Sequence, residues 1–394
     1  MLDRCIAGQP PEELPRALVE EPCGKALFAI LVEGLADRFE PALCDAYVRL
    51  FSQAIAHAVE GVDPAALVAR YQRIRSGAGA LACQLSADPR RVFVLSRITL
   101  GADVAVTTVL LDAAKQRFPN AEILFAGPLK NYELFAGDPR IQHAPVAYQR
   151  GALRDRLAVW DELKSLLSEP DSIVIDPDSR LTQLGLLPVC PDDRYYFFES
   201  RAYGAATDRP LSELTSAWAE ETLGISGAKP YVHLPGLWPL DPGPRSPAPG
   251  PYIAVSLGVG ENPAKRLPDP FEEELLALLA RKGMLLIIDK GAGGEEAERV
   301  ARAVERSGAK AAFWDGSFAG FAAIISGATL YVGYDSAGQH VAAACGIPLI
   351  SIFAGFPVPR MFDRWRPVGD HCHVIRVDQP DTGRILGRVA AVVS

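Results

Sequence analysis

The 394-residue sequence has no run of about 18 apolar residues, so no segment reads as a membrane-spanning helix. It has no Cys-x-x-Cys pair. Its seven cysteines (Cys5, Cys23, Cys44, Cys83, Cys190, Cys345 and Cys372) are scattered and odd in number, which reads as free thiols in a reducing compartment. An excess of positive charge is also missing. Lys plus Arg is 40 against 48 Asp plus Glu, a formal charge of −8, which excludes a uniformly basic nucleic-acid binder but not a local basic groove. The opening MLDRCIAGQPPEELP lacks an apolar signal-peptide core, so a cytoplasmic location is expected. Gly-x-Ser-x-Gly, His-Glu-x-x-His and the Walker A pattern are all absent.

What is present is ordinary globular material. Apolar residues are 49% and charged residues 22%, enough to bury sizeable cores. A prior of about 150 residues per domain gives two to three domains. Residues 1–88 show no strand signal. Lys25–Phe39, Ala42–Val59 and Ala65–Ile74 carry apolar residues at three- and four-residue spacing, and Asp63-Pro64 reads as an N-cap followed by Pro. This is a helical extension, either packed on the rest or mediating self-association.

Residues 89–235 alternate short apolar runs with helical stretches. RVFVLS, AEILFA, IQHAPV and SIVID read as strands, and Asp103–Phe118 and Ala152–Leu167 as helices. Residues 236–251 are dense in Pro and Gly and read as a semi-rigid linker. Residues 252–394 repeat the alternation through YIAVSL, MLLIID, AAFW, TLYVGY, PLISIF and HVIRV. The expectation is an α/β protein with two doubly wound Rossmann-like domains. Ligands in such sheets bind beyond the carboxyl ends of the strands, so a site in a cleft between the domains is expected.

The turns after strands carry the candidate chemistry. Arg97-Ile-Thr-Leu-Gly-Ala-Asp103 follows the first strand. Asp103 at a helix N-terminus reads either as a cap or as a cleft carboxylate able to take a proton from a hydroxyl. Leu257-Gly258-Val-Gly260 leads to Lys265, where glycines admit a ligand and the Lys places a cation on phosphate. Glu295 and Glu296 follow the next strand and offer a hold on ribose hydroxyls. Gly316-Ser317 opens another helix, with Ser317 as N-cap. Asp335-Ser336-Ala337-Gly338-Gln339-His340 turns a strand into a helix whose free amides suit a diphosphate. In a parallel sheet these turns meet at one edge.

At these residues the chain resembles glycosyltransferase family 9, the ADP-heptose:lipopolysaccharide heptosyltransferases and relatives. Asp335 to His340 followed by VAAACGIPLISIF resembles the family's C-terminal signature. Arg97 to Val104, followed by Arg117-Phe-Pro-Asn-Ala-Glu-Ile123, resembles its N-terminal pattern. Lys265 matches the phosphate-binding Lys, and Gly316-Ser317-Phe318 approximates a further helix start. The resemblance spans about residues 90–380. It departs at Ala102 and Ala337, where the family usually has Gly.

The resemblance implies a GT-B architecture and an inverting, metal-independent transfer of a heptose-like sugar from a nucleotide-diphosphate donor to a hydroxyl. It implies Asp103 as the base. It implies donor binding by Lys265, Gly258, Gly260, Glu295 or Glu296, Gly316, Ser317, Asp335, Ser336, Ala337, Gly338 and His340. No cofactor or metal is expected, and no Asp-x-Asp pair sits where a metal-dependent sugar transferase needs one. Asp176-Pro-Asp178 reads as a turn. Arg97 and Lys130 fall on the acceptor side. The expected partners are a nucleotide sugar and a glycan, lipid-linked or protein acceptor, with no nucleic acid and with peripheral contact at the inner membrane left open. The competing readings are a non-catalytic nucleotide-sugar-binding or scaffolding module, and a nucleotide-sugar epimerase on the same scaffold.

Overall fold

A computed structural model describes residues 1–77, 89–235, 250–260, 262–291 and 293–393. All but the last two residues of the expected 236–251 linker, the boundary expected at residue 88, and Cys83 lie outside the described residues. The chain forms two compact units. One comprises Met1–Tyr132 with Pro139–Pro230, and the other Glu133–Asp138 with Tyr231–Ser394.

The first unit holds five parallel strands: β1 (Arg91–Leu95), β2 (Glu122–Gly127), β3 (Ile141–Pro145), β4 (Ser172–Asp176) and β5 (Tyr195–Phe197), in the order β3-β2-β1-β4-β5. All five residues of β4 are buried, as expected for a central parallel strand covered on both faces. The register places Val94 of β1 beside Phe125 of β2 and Ile175 of β4. The strand order reverses between β1 and β4, and their carboxyl ends are therefore the switch point of this sheet.

The N-terminal helices are built into this unit. Pro41–Ala58 begins with Pro at its first position and buries Leu43, Tyr47, Leu50, Phe51, Ala54 and Ile55, a stripe at helical spacing. These side chains share one core with Phe93, Leu95, Val174 and Phe197 of the sheet. Tyr47 also donates its hydroxyl to the carbonyl of Gln183 at 2.9 Å. Asp63 caps the Pro64–Ser76 helix by accepting from the Ala65 amide. The spacing over Lys25–Phe39 predicts one helix. The structure breaks it into Lys25–Phe28, a π turn Ala29–Glu33 and a 3₁₀ turn Ala36–Arg38. Gly34 sits at the break, where a Cβ would lie 2.6 Å from the Ile30 carbonyl.

The second unit holds six parallel strands: β6 (Tyr252–Ser256), β7 (Leu285–Asp289), β8 (Ala311–Trp314), β9 (Leu330–Tyr334), β10 (Leu349–Phe353) and β11 (Cys372–Arg376), ordered β11-β10-β9-β6-β7-β8. This is the doubly wound order with its reversal between β6 and β9. Phe271–Ala280, Gly294–Ser307 and Thr382–Val393 are among its helices, and Ile253, Val255, Leu275, Ile288, Val332 and Ile352 lie in its core. Both units are therefore Rossmann-like. No helix among the described residues is long and apolar enough to cross a membrane.

Candidate active site

In the first unit, the turn after β1 is tight and strained. Ile98 has φ +71°, a left-handed conformation unfavourable for a β-branched residue. The helix begins at Leu100, three residues before the expected start, because Thr99 already occupies the extended N-cap position. Asp103 thus lies within the helix and opens a π turn, Asp103–Thr107. Such bulges recur at functional sites.

Asp103 is not an N-cap. Its side chain turns back to the switch point, is fully buried and accepts four hydrogen bonds. Oδ1 takes the Arg97 amide at 2.7 Å and the Thr107 hydroxyl at 2.6 Å. Oδ2 takes the Ser96 hydroxyl at 2.7 Å and the Asn131 amide at 2.5 Å. Burial raises its pKa above the ordinary carboxylate value, and the four donors pull it back. The carboxylate is held in one orientation by groups from three segments, which is what a preorganised base requires.

Arg97 is also buried. Its guanidinium donates to the Pro177 carbonyl at 2.6 Å and the Ser200 hydroxyl at 2.5 Å, tying the turns after β1, β4 and β5 together. Desolvation and the neighbouring Arg201 lower its pKa to about 10. Arg201 pairs with Asp37 at 2.7 Å and Asp178 at 2.8 Å. Asp176 accepts from the Ser179 amide, Thr182 and Tyr195, confirming the turn reading for Asp176 to Asp178. Lys130, in the short helix after β2, is exposed.

In the second unit, Lys265 follows β6 and Asp335 follows β9, so they meet at the switch point. Lys265 Nζ donates to Asp335 Oδ2 at 2.6 Å and to its carbonyl at 3.1 Å, leaving a third N–H. Gln339 donates to Asp335 Oδ1 at 2.5 Å and accepts from Ser351 at 2.5 Å, fixing the carboxylate from below. Asp335 is therefore spent on Lys265 and Gln339, and Ser336 makes no capping bond. Among the described residues no side chain caps the first turn of the Ala337–Ala344 helix. The amides there point to an anion site.

The two glutamates differ in their surroundings. Glu295 is exposed, whereas Glu296 accepts from the amides of Val259 at 3.0 Å and Gly260 at 3.3 Å. A Cβ on Gly258 would lie 3.0 Å from the Glu296 carboxylate, and one on Gly291 only 2.2 Å. Gly258 after β6 and Gly291 after β7 therefore make room for a carboxylate of this chain, which already takes the amides of Val259 and Gly260. Gly316 makes room for the Trp314 ring, 2.6 Å from its would-be Cβ, and Ser317 caps its helix through the Gly320 amide at 3.2 Å. These two residues have local structural work. Gly338 likewise leaves room for the Tyr331 ring, with 2.3 Å from a would-be Cβ to the hydroxyl. Burial lowers the His340 pKa to about 4, so the ring is neutral at physiological pH and adds no charge to the site.

Several residues escaped the sequence reading. Gly355, after β10, has φ +68°, and a Cβ there would lie 2.4 Å from the Ala264 carbonyl, so it seats the Lys265 segment. Gln339 lies inside a recognised motif but was assigned no work. Asp37, Arg201 and Asn131 join the first site from distant segments, with no local signal.

Residues 194–384 match the model of glycosyltransferase family 9 (heptosyltransferase). No curated protein matches the sequence. Many solved structures are similar in fold, among them the following three. The Escherichia coli heptosyltransferase WaaC, solved with ADP, is 19% identical, with a TM-score of 0.56 over 77% of this chain and 99% of its own. A family 9 glycosyl transferase from Veillonella parvula is 18% identical, with a TM-score of 0.58 over 76% of this chain and 90% of its own. The E. coli ADP-heptose lps heptosyltransferase II is 19% identical, with a TM-score of 0.51 over 77% and 98%.

Proposed function

As a family 9 glycosyltransferase by the match over residues 194–384, this protein, we propose, moves a heptose-like sugar from a nucleotide diphosphate to an acceptor hydroxyl with inversion. The observation that carries the reading is the meeting of Lys265 and Asp335 beside an uncapped helix start at the switch point of the second sheet. The family match favours transfer over the epimerase and scaffold readings.

In this reading the second unit binds the donor. The diphosphate takes the remaining N–H of Lys265 and the amides of Ser336, Ala337 and Gly338. These donors stabilise the negative charge that grows as the bond from anomeric carbon to phosphate oxygen breaks. Lys265 supplies that positive charge without a metal. Glu296, held at the β6 turn, offers its carboxylate to ribose hydroxyls in this reading, in preference to the outward-facing Glu295. The first unit serves the acceptor. Asp103 exchanges one of its four donors for the acceptor hydroxyl and takes its proton as the oxygen attacks the anomeric carbon. The acceptor is a glycan, lipid-linked or protein hydroxyl, and the enzyme works in the cytoplasm or at the inner face of a membrane.

Calorimetric titration with ADP, GDP and UDP, without added metal, tests the donor half. One base should bind saturably, and Lys265→Ala should weaken it roughly 10- to 100-fold, the worth of a charge-assisted contact. No binding of any of the three to the folded protein would sink the reading.

A further inference from the structure

The first unit contains a second concave site, apart from Asp103. A cavity of about 330 Å³ opens between the N-terminal helices and the Leu211–Leu223 helix. One wall is an ion pair. Arg75 Nε and Nη2 hold the two oxygens of Glu199 at 2.5 and 2.7 Å, and Tyr71 donates to the same carboxylate at 2.8 Å. The rings of Phe197 and Trp218 line it as well. Glu221 stands exposed at the rim and receives the Tyr203 hydroxyl. Thr222, 1% exposed, also lines the cavity, and its hydroxyl has no hydrogen-bond partner among the described residues. A buried hydroxyl left unpaired is unfavourable, so this atom points to a ligand able to bond it.

We propose that this cavity binds a neutral hydroxylated ring, one sugar unit of the acceptor. Aromatic walls match the C–H face of a pyranose. The carboxylates and the Thr222 and Tyr203 hydroxyls match its O–H groups. An anion is disfavoured because Arg75 is committed to Glu199 and, through Nη1 at 2.6 Å, to Asp45. A cation gains little, because Arg75 already neutralises Glu199 and the Glu221 carboxylate at the rim is exposed to solvent screening. The volume suits a hexose-sized ring at the small end of ligand pockets. Arg75 comes from the N-terminal helices, so those helices help make the site. It is wired to the candidate base through Ser200, the neighbour of Glu199, which bonds Arg97, whose amide holds Asp103. Calling the sugar part of the acceptor rests on the transferase reading, whereas the chemistry of the cavity does not.

The test uses the full chain and ligand-detected NMR with calorimetry. The probes are methyl glucoside, methyl mannoside, methyl galactoside and N-acetylglucosamine, with glucosamine and glucose 6-phosphate as cationic and anionic counterparts. At least one neutral sugar should bind. Thr222→Val and Tyr203→Phe should each weaken it roughly tenfold, with melting temperature and nucleotide affinity unchanged. Retained sugar binding without nucleotide binding would uphold this site and overturn the donor reading instead. The proposal fails if no neutral sugar binds to protein that binds its nucleotide. It also fails if glucosamine or glucose 6-phosphate binds more tightly, or if both variants leave the neutral sugar's affinity unaltered.

Discussion

At the switch point of the first sheet, Asp103 is fully buried with four donors, and Arg201 is 6% exposed between two aspartates. At the switch point of the second, the Lys265 side chain is 26% exposed and its partner Asp335 12%. The same fold thus holds charge in two ways. The first unit locks a network whose members cannot leave without stranding a partner. The second holds an ion pair that solvent screens and that the proposed diphosphate would share. A base that must keep one orientation suits the locked arrangement, and a binding site that fills and empties suits the open one.

The largest expected effect separates the two sites. Asp103→Asn keeps the shape but removes proton acceptance. Transfer should fall about 10³-fold, within the usual range for general-base loss, while nucleotide affinity stays within about twofold. Single-turnover kinetics beside calorimetry check this, and normal turnover in the variant would end the base assignment. Burial of Asp103 should also shift the acid limb of the rate profile upward from that of an ordinary aspartate, as a pH–rate profile would show.

Next comes stability. Arg201→Gln leaves Asp178 without its ion-pair partner and Asp37 with only Arg180 at 3.6 Å, and should cost about 3–5 kcal/mol, read from the urea midpoint. Lys265→Ala should cost under about 1 kcal/mol, because its pair is partly solvated. Equal losses in the two variants would erase the contrast.

A last effect, spread over the pH range, is a pair of opposed pH responses. His340 titrates at about 4 when folded, below its usual 6.5, so the unfolded chain binds more protons between these values. Its contribution is intact above about pH 6.5 and is lost as pH falls toward 4. Asp176 titrates at about 6 when folded, above 3.8, so its contribution is present below about pH 4 and is lost as pH rises through 6. Hydrogen exchange of β9 and β4 amides between pH 4 and 6.5 should show opposite slopes. His340→Asn should flatten the first slope and Asp176→Asn the second. Slopes of one sign in both strands would break the comparison.

Much of this was legible because it is local. Apolar runs separated by Gly, Asp and Ser turns announced ten of the strands and put Asp103, Lys265 and Asp335 at carboxyl edges. The three-residue β5 was too short to show a period. That Glu296 rather than Glu295 turns inward was readable in principle, since Val300 and Ala303 follow it at i+4 and i+7 and are buried on the same helix face. The start of the helix at Leu100 was hidden by the π turn, which spoils regular spacing. The Asp37–Arg201 pair spans 164 residues, and no local pattern predicts such a partner. Gly316 and Gly338 have a further reason to be glycine that no local pattern shows, since a neighbouring aromatic ring occupies the space of the missing Cβ.

The packing of the N-terminal helices against the first sheet also sets a schedule for synthesis. Tyr47 must wait for Gln183, 136 residues later, before its hydroxyl finds its acceptor. At roughly 5–20 residues per second, that is on the order of ten seconds on the ribosome. Throughout that interval Leu27, Leu31 and Phe51 have no finished sheet to cover them. The helices that wall the first core thus keep apolar surface open to aggregation through that interval.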